Sequence, residues 1–240
     1  MRGRPLVFGH RGASAAAPEN TVEAFSKARA LGADGVELDV RRSADGVLMV
    51  HHDAEIAGLG ALVERSFAEV RAARPSVPTF DEAIDACRGM VLNAEVKCLP
   101  WEIDADRDGS VMRATVAALA RHDADVIVSS FYIGAIDLAR DLVQQTAASR
   151  MTTGWLTHGQ EVGAAARTAA DHGHRWLNPD AQAAIAAGRG GIEGAHAVGL
   201  LVSVWTVDDP DDARALAESG VDVIISNVPA VVIGAIEGGR

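Results

Sequence analysis

The feature that most constrains the fold of this chain is an alternation repeated along its whole length, in which a short apolar run ends in polar residues and leads into a helical segment. The apolar runs begin at Leu6, Val36, Val91, Val126, Arg150, Trp176, Leu201 and Val223. Strands separated by helical segments pair in parallel, because a parallel connection needs a crossover and the helix supplies it. The helical segments carry their own punctuation. Asn20 stands where it can cap the first, with Glu23 three residues on, and Gly32 suits the left-handed position that closes it. Others span 66–73, 79–88, 110–121, 133–144 and 161–172, a small-residue helix starts at Ala181, and a last one has Pro210 in first position under an Asp209 cap and ends at Gly220. Eight such units in 240 residues match an α/β fold of the (β/α)8 barrel type. A doubly wound open sheet is the competitor, but no Gly-rich dinucleotide fingerprint follows the first run. We expect a single domain over 1–240 with a short insertion after the second strand, and the irregular stretches 54–62 and 99–109 as loops at the barrel mouth.

Within this pattern the segment DGVELDVRRSADGVLMVHHD, Asp34 to Asp53, stands out. Glu37 and Asp39 are two apart in an apolar strand, so both carboxylates leave the same face. Two adjacent anions persist when solvated, protonated or neutralised, and a divalent cation is the neutraliser that also does chemistry. The run 47–52 reads as a further short strand that delivers His51, His52 and Asp53 nearby. Taken alone, paired acids on a strand are more often a solvated edge, and a His-His-Asp run is more often a turn.

The surroundings tip the balance. Barrel active sites sit at the C-terminal ends of the strands. There the chain places His10 and Arg11, Glu37 and Asp39, Glu95 and Lys97, Ser130, Asn178, Trp205 and Asn227. Glu37, Asp39 and Glu95 are hard oxygen donors suited to Mg2+ or Ca2+ rather than zinc. Arg11 offers a planar fork for phosphoryl oxygens and Lys97 a point charge. His10 and one of His51 and His52 can exchange protons near neutral pH, though strand periodicity alone does not choose within that pair. Trp205 is ordinary barrel core by residue type, yet its place at the rim permits an apolar wall for an alkyl or glycerol group. These are parts for displacement at a phosphodiester. His122, His172 and His174 lie near helix C-termini and His158 and His196 at the surface, so all five are expected to be structural.

Composition narrows the partners. A net charge of −11 and a pI near 5.1 argue against nucleic acid, whose binders usually carry a basic face. No run of eighteen apolar residues and no signal peptide are present, so a soluble, cytoplasmic protein without stable membrane insertion is expected, its oligomeric state open. Cys87 and Cys98 lack zinc spacing and are expected to be buried thiols.

The motifs His10-Arg11-Gly12, Pro18-Glu19-Asn20-Thr21, Glu37-Leu38-Asp39, His52-Asp53, Asn93-Ala94-Glu95-Val96-Lys97, Ser130-Phe131 and Val204-Trp205-Thr206-Val207 together resemble, in order, the bacterial glycerophosphodiester phosphodiesterases. The resemblance runs over essentially the whole chain. It implies a metal-dependent enzyme that releases sn-glycerol 3-phosphate and an alcohol from a small glycerophosphodiester. It also implies Mg2+ or Ca2+ held by Glu37, Asp39 and Glu95, His10 and His52 as acid and base, and Arg11 and Lys97 on phosphate. The His-Asp motif selects His52 over His51. No Ser or Cys neighbours either histidine as an activated nucleophile, and the resemblance points to the glycerol 2-hydroxyl as attacking group. There are two departures. The segment 54–77 is shorter than usual and lacks an Arg-Thr-Thr-like element, which bears on the choice of alcohol, and Ser226-Asn227-Val228-Pro229 replaces Thr-Asp-x-Pro, a change expected to be structural. The alternatives are a related lyase that cyclises a lysolipid head group, a carbon-acid lyase or racemase, and a non-enzymatic phosphodiester-binding protein. His10-Arg11 beside the acids and the lack of a separate capping domain weigh against the carbon-acid chemistry.

Overall fold

A computed structural model describes residues 3–97, 99–121, 125–146 and 150–238 of the chain. Its elements run β1 Leu6–His10, α1 Val22–Ala30, β2 Gly35–Arg42, β3 Leu48–Val50, β4 Glu55–Ile56, β5 Gly60–Ala61, α2 Phe67–Ala73, α3 Phe80–Ala86 and β6 Val91–Val96. The second half continues α4 Ser110–Leu119, β7 Val126–Ser130, α5 Ile133–Gln145, β8 Met151–Thr157, α6 Val162–Asp171, β9 Trp176–Pro179, α7 Ala181–Ala197, β10 Leu201–Val204, α8 Pro210–Ser219, β11 Val223–Ser226 and α9 Pro229–Glu237. Eight strands close in the order β1-β11-β10-β9-β8-β7-β6-β2, with β2 pairing back to β1, and every pairing around the ring is parallel. This is the (β/α)8 barrel expected from the alternation. The expected insertion after the second strand is β3, antiparallel to β2, then the β4–β5 hairpin and α2. The stretch 54–62 is therefore a hairpin rather than an irregular loop.

Pairing register sorts the side chains. Leu6, Phe8 and His10 on β1 share a face with Gly35, Glu37 and Asp39 on β2, and these with Val91, Asn93 and Glu95 on β6. Along that face the residues pass from apolar to polar. Phe8, Ile127, Trp176, Val223 and Ile225 form one apolar cluster with Leu6, Val91 and Leu201 against it, and the carboxylates follow at the opposite, C-terminal ends of the strands. Two larger clusters pack the outer faces of the strands against the helices, one led by Phe25, Leu38, Phe80 and Leu92, the other by Leu177, Ile192, Val202 and Ile224. Among the described residues no helix is long and apolar enough to cross a membrane.

Several local expectations change. The first helix is capped by Thr21, whose hydroxyl accepts from the Ala24 N–H, and not by Asn20. Asn20 lies outside the helix with φ 57°, which frees its amide for another partner. Ser66 and Thr79 close capping boxes with Glu69 and Glu82. The small-residue helix α7 is broken at Gly188, where φ is 56° and ψ −166°, a conformation open to glycine alone. Cys87 is buried as expected, and burial pushes its thiol up to about 12. Cys98 and His122 lie outside the described residues.

The β1–α1 turn depends on close backbone approach. Gly12 has φ 84°, and a Cβ there would stand 2.6 Å from the Ala24 carbonyl carbon. Gly12→Ala should therefore lower stability by at least the ~1–3 kcal/mol of a strained left-handed residue. Urea denaturation is the measurement, and an unchanged midpoint would contradict this account.

Candidate active site

The barrel brings six of the eight residues singled out from sequence, His10, Arg11, Glu37, Asp39, Glu95 and Lys97, within reach of one another, and links Trp205 to them through the Phe131 ring. Glu37 and Asp39 leave β2 on the same face, and Asp39 is opposite Glu95 in the β2–β6 register. Glu37, Asp39 and Glu95 are all buried, each with a carboxylate oxygen within 4.8 Å of the others. Such a trio needs cations. Lys97 supplies one, with Nζ 3.0 Å from Asp39 and 2.5 Å from Glu95. Arg11 supplies another: its Nε lies 3.3 Å from Asp39, its guanidinium donates to both oxygens of Glu19, and its backbone N–H donates to Glu37 Oε2 at 3.0 Å.

The charges are unequally met. Burial would raise Asp39, but Lys97 and then Arg11 outweigh it and hold the carboxyl down at about 2. Glu37 goes the other way, well above the usual carboxylate range, first through burial and then through Asp39 and Glu95. Glu95 is also raised by burial, against the pull of Lys97. Glu37 is thus the least compensated of the three, and its Oε1 is buried without a hydrogen-bond partner among the described residues. Three oxygen donors, one of them unpartnered, fit a hard divalent cation.

Asn20 holds this cluster together. Its amide donates to Asp39 Oδ2 at 2.7 Å, and its carbonyl oxygen accepts the Asp39 N–H at 3.3 Å. Arg11, like Asn20, has a left-handed backbone (φ 53°), and the Asn20 N–H donates to the Arg11 carbonyl. A left-handed arginine costs about 1–3 kcal/mol and persists where its surroundings over-determine it. Here the conformation aims its N–H at Glu37.

The two catalytic candidates are held differently. His10 is opposite Glu37 in register, with Nε2 3.9 Å from Glu37 Oε2. Its Nδ1 meets Asn227 Oδ1 at 2.7 Å, while the Asn227 amide donates to Asp208 at 2.6 Å and Ser14 donates to the same Oδ1. With the amide orientation set by Asp208, Asn227 Oδ1 is an acceptor, so His10 carries its proton on Nδ1 and leaves Nε2 a lone pair. Burial lowers the His10 pKa, opposed by Asn227. The replacement at Asn227, expected to be structural, therefore touches the site directly.

His51 and His52 extend from β3, and the His51 N–H donates to the Asp39 carbonyl. The His51 ring faces the Asp53 backbone, whereas His52 Nδ1 stands 2.7 Å from the Asp53 carboxylate and its ring is near enough to act on Asp39 and Glu95. A residue that the reading from sequence passed over fixes this segment. Arg41, 2% exposed, donates Nε to the His52 carbonyl at 2.8 Å and Nη1 to Glu102 and Asp104 at 3.1 and 2.5 Å. The signal was present: Arg41 continues the period-two series Glu37, Asp39 on the same face of β2.

Trp205 joins through Phe131. The two rings meet edge to face with centroids 5.4 Å apart, Lys97 Nζ is 5.9 Å from the Phe131 centroid, and the exposed His158 ring lies edge-on to Trp205 at 6.0 Å. The Trp205 indole N–H donates to the Asn178 carbonyl.

Residues 10–231 match the glycerophosphoryl diester phosphodiesterase family. The chain belongs to that family. It is thereby an enzyme of the phosphoric diester hydrolase class. Among curated relatives it is similar to a probable glycerophosphodiester phosphodiesterase 2 of Mycobacterium tuberculosis, 30% identical over 94% of this chain and 88% of the relative. A glycerophosphodiester phosphodiesterase of Caldanaerobacter subterraneus is 25% identical over 98% of this chain and 99% of its own. Among solved structures, a phosphodiesterase of Oleispira antarctica in complex with the product sn-glycerol-3-phosphate shares the fold, with a TM-score of 0.81, 24% identity and coverage of 98% of this chain and 97% of that one.

Exchanging Asn227 for a carboxylate tests the His10 contact. Asn227→Asp sets an anion against Nδ1, favours the imidazolium and should raise the His10 pKa above its value in the unaltered protein. NMR titration of the imidazole resonances reads this. A midpoint that stays put would mean that residue 227 does not face the ring.

Proposed function

We propose that this rim hydrolyses small glycerophosphodiesters to sn-glycerol 3-phosphate and an alcohol, with Glu37, Asp39 and Glu95 holding Mg2+ or Ca2+. The observation that carries the reading is the buried, unpartnered Glu37 Oε1 beside Asp39 and Glu95, next to His10 and the two cations Arg11 and Lys97. The bound cation supplies positive charge for the phosphoryl oxygens and for the acid trio.

The remaining work falls to the chain's own side chains. Arg11 and Lys97 bind the phosphate, Arg11 by its fork and Lys97 as a point charge. The His10 Nε2 lone pair accepts the proton of the attacking hydroxyl, and His52 donates a proton to the departing alkoxide as the phosphorus–oxygen bond breaks. Neither histidine is hydrogen-bonded to a Ser or Cys side chain among the described residues, which supports an attacker from outside the protein. The glycerol 2-hydroxyl is that attacker, already held near phosphorus. Its attack gives a cyclic phosphate. Water then opens the ring with the histidines exchanging roles: His52 takes the water proton and His10 returns its own to the 2-oxygen. The Trp205 and Phe131 rings form the apolar wall beside the glycerol or alcohol.

Product analysis on glycerophosphocholine decides the reaction. We expect sn-glycerol 3-phosphate and choline in the presence of Mg2+ or Ca2+, no turnover after exhaustive chelation, and recovery when the ion is restored. Full activity in metal-free protein would remove the cation from the proposal, and a cyclic phosphate as the end product would move the assignment to a lyase.

The two histidines are separable. His10→Ala and His52→Ala should each lower kcat by ~10²–10⁴, the usual cost of losing a general acid or base, while His51→Ala retains most activity. Inversion of the His51 and His52 results in single-turnover assays would overturn the assignment.

A further inference from the structure

A second group of ligating side chains stands away from the rim, between α5 and the turn joining α6 to β9. Asp137, His172 and His174 bring a carboxylate oxygen and two imidazole nitrogens within 4.8 Å of one another. His172 Nδ1 lies 3.0 and 2.9 Å from the two Asp137 oxygens, and His174 Nε2 lies 3.3 Å from Oδ1. The two rings are near parallel, 19° apart with centroids at 6.1 Å, and both direct a nitrogen to the same carboxylate.

His174 is the telling member. Its side chain is 0% exposed, yet Nε2 is without a hydrogen-bond partner among the described residues. On the other side of the ring Nδ1 is 3.0 Å from Thr153 Oγ1. When Nδ1–H donates to that hydroxyl, Nε2 presents a lone pair to Asp137. That arrangement is unfavourable by itself, but it is the one a metal-ligating imidazole adopts, with its far N–H fixed by an outer partner. Arg140 competes for the acid: its guanidinium donates to Asp137 Oδ1 at 3.1 Å and to the His172 carbonyl. Oδ2 remains to His172.

We propose that Asp137, His172 and His174 bind a transition-metal dication of the Zn2+ type and so clamp α5 to the α6–β9 turn, at a site separate from the carboxylate rim. Two imidazoles and one carboxylate select Zn2+, Cu2+ or Ni2+ over the Mg2+ or Ca2+ suited to the rim. A tetrahedral ion at ordinary bond lengths sets its ligand atoms ~3.3 Å apart. The three atoms now lie within 4.8 Å of one another, and His172, with its side chain 39% exposed, is the member with room to turn toward that spacing. Three protein ligands would leave a fourth position for water, and His172 and the 28% exposed Asp137 are both partly open to solvent.

The test uses Cu2+ as a paramagnetic probe on the whole chain, with excess Ca2+ present for the rim. Electron paramagnetic resonance should show coupling to two imidazole nitrogens. The signal should persist in Glu37→Gln, which weakens the rim, and disappear in His172→Ala, a change at a partly exposed position. Zn2+ calorimetry should show affinity reduced at least ~100-fold in His172→Ala, the upper range for losing even an outer partner of a ligand. Spectra without nitrogen coupling, or an unchanged signal or affinity in His172→Ala, would overturn the site.

Discussion

The crowding of three carboxylates on one buried face is the constraint from which most of the surrounding structure follows. Glu37, Asp39 and Glu95 occupy neighbouring strands at adjoining register positions, where their repulsion acts in a low-dielectric interior. Each nearby peculiarity relieves part of it. Lys97 spans two of the acids, Arg11 adopts a left-handed backbone to donate to a third, and Asn20 leaves the capping position to bind Asp39. The compensation is uneven by design of the register: Asp39 has two cations and a donor, Glu37 a single N–H. That imbalance is what the proposed cation would relieve.

The barrel makes such a cluster tolerable by grading its interior. Phe8, Ile127, Trp176 and Val223 fill the end from which the strands start, and the polar groups are confined to the end where they finish. Apolar burial at one end stabilises the ring while the other carries groups that favour unfolding. The same grading explains why short insertions concentrate after β2. The β3 strand pairs with β2 and its continuation hangs His51 from the Asp39 carbonyl, so the His51-His52 segment is positioned by the strand that carries Glu37 and Asp39.

The fold was legible because each apolar run and each helix signal agreed with its neighbours, and the acid trio was legible because strand periodicity is rigid. Contacts made across loops were not. Asn20 stands directly before a helix and satisfies the cap preference by residue type, yet the adjacent Thr21 does so equally well and leaves the amide free. Asn227 shows no periodicity that would tie it to His10, since the two are 217 residues apart in sequence and meet only because β11 and β1 close the ring. Arg41 is a different failure: it obeyed the alternation that revealed Glu37 and Asp39, but an arginine two steps beyond a pair of acids reads as solvated. His172 and His174 read as helix-end residues because nothing in sequence signals that Asp137 lies across from them.

Arg41 also sets terms for anyone redesigning this enzyme. The loop 99–109 carries the exposed Trp101 and Ile103 and invites exchange as a way to alter which molecules enter. It is not an independent cassette. Asp104 and Glu102 from that loop neutralise a buried guanidinium whose remaining bond supports the His52 carbonyl. A graft lacking the aspartate would strand the charge, at a penalty of ~3–5 kcal/mol for a broken buried pair, and would loosen the histidine along with the loop. Transplants that keep an acid at 104, or that replace Arg41 and Asp104 together by apolar residues, are the ones compatible with this barrel.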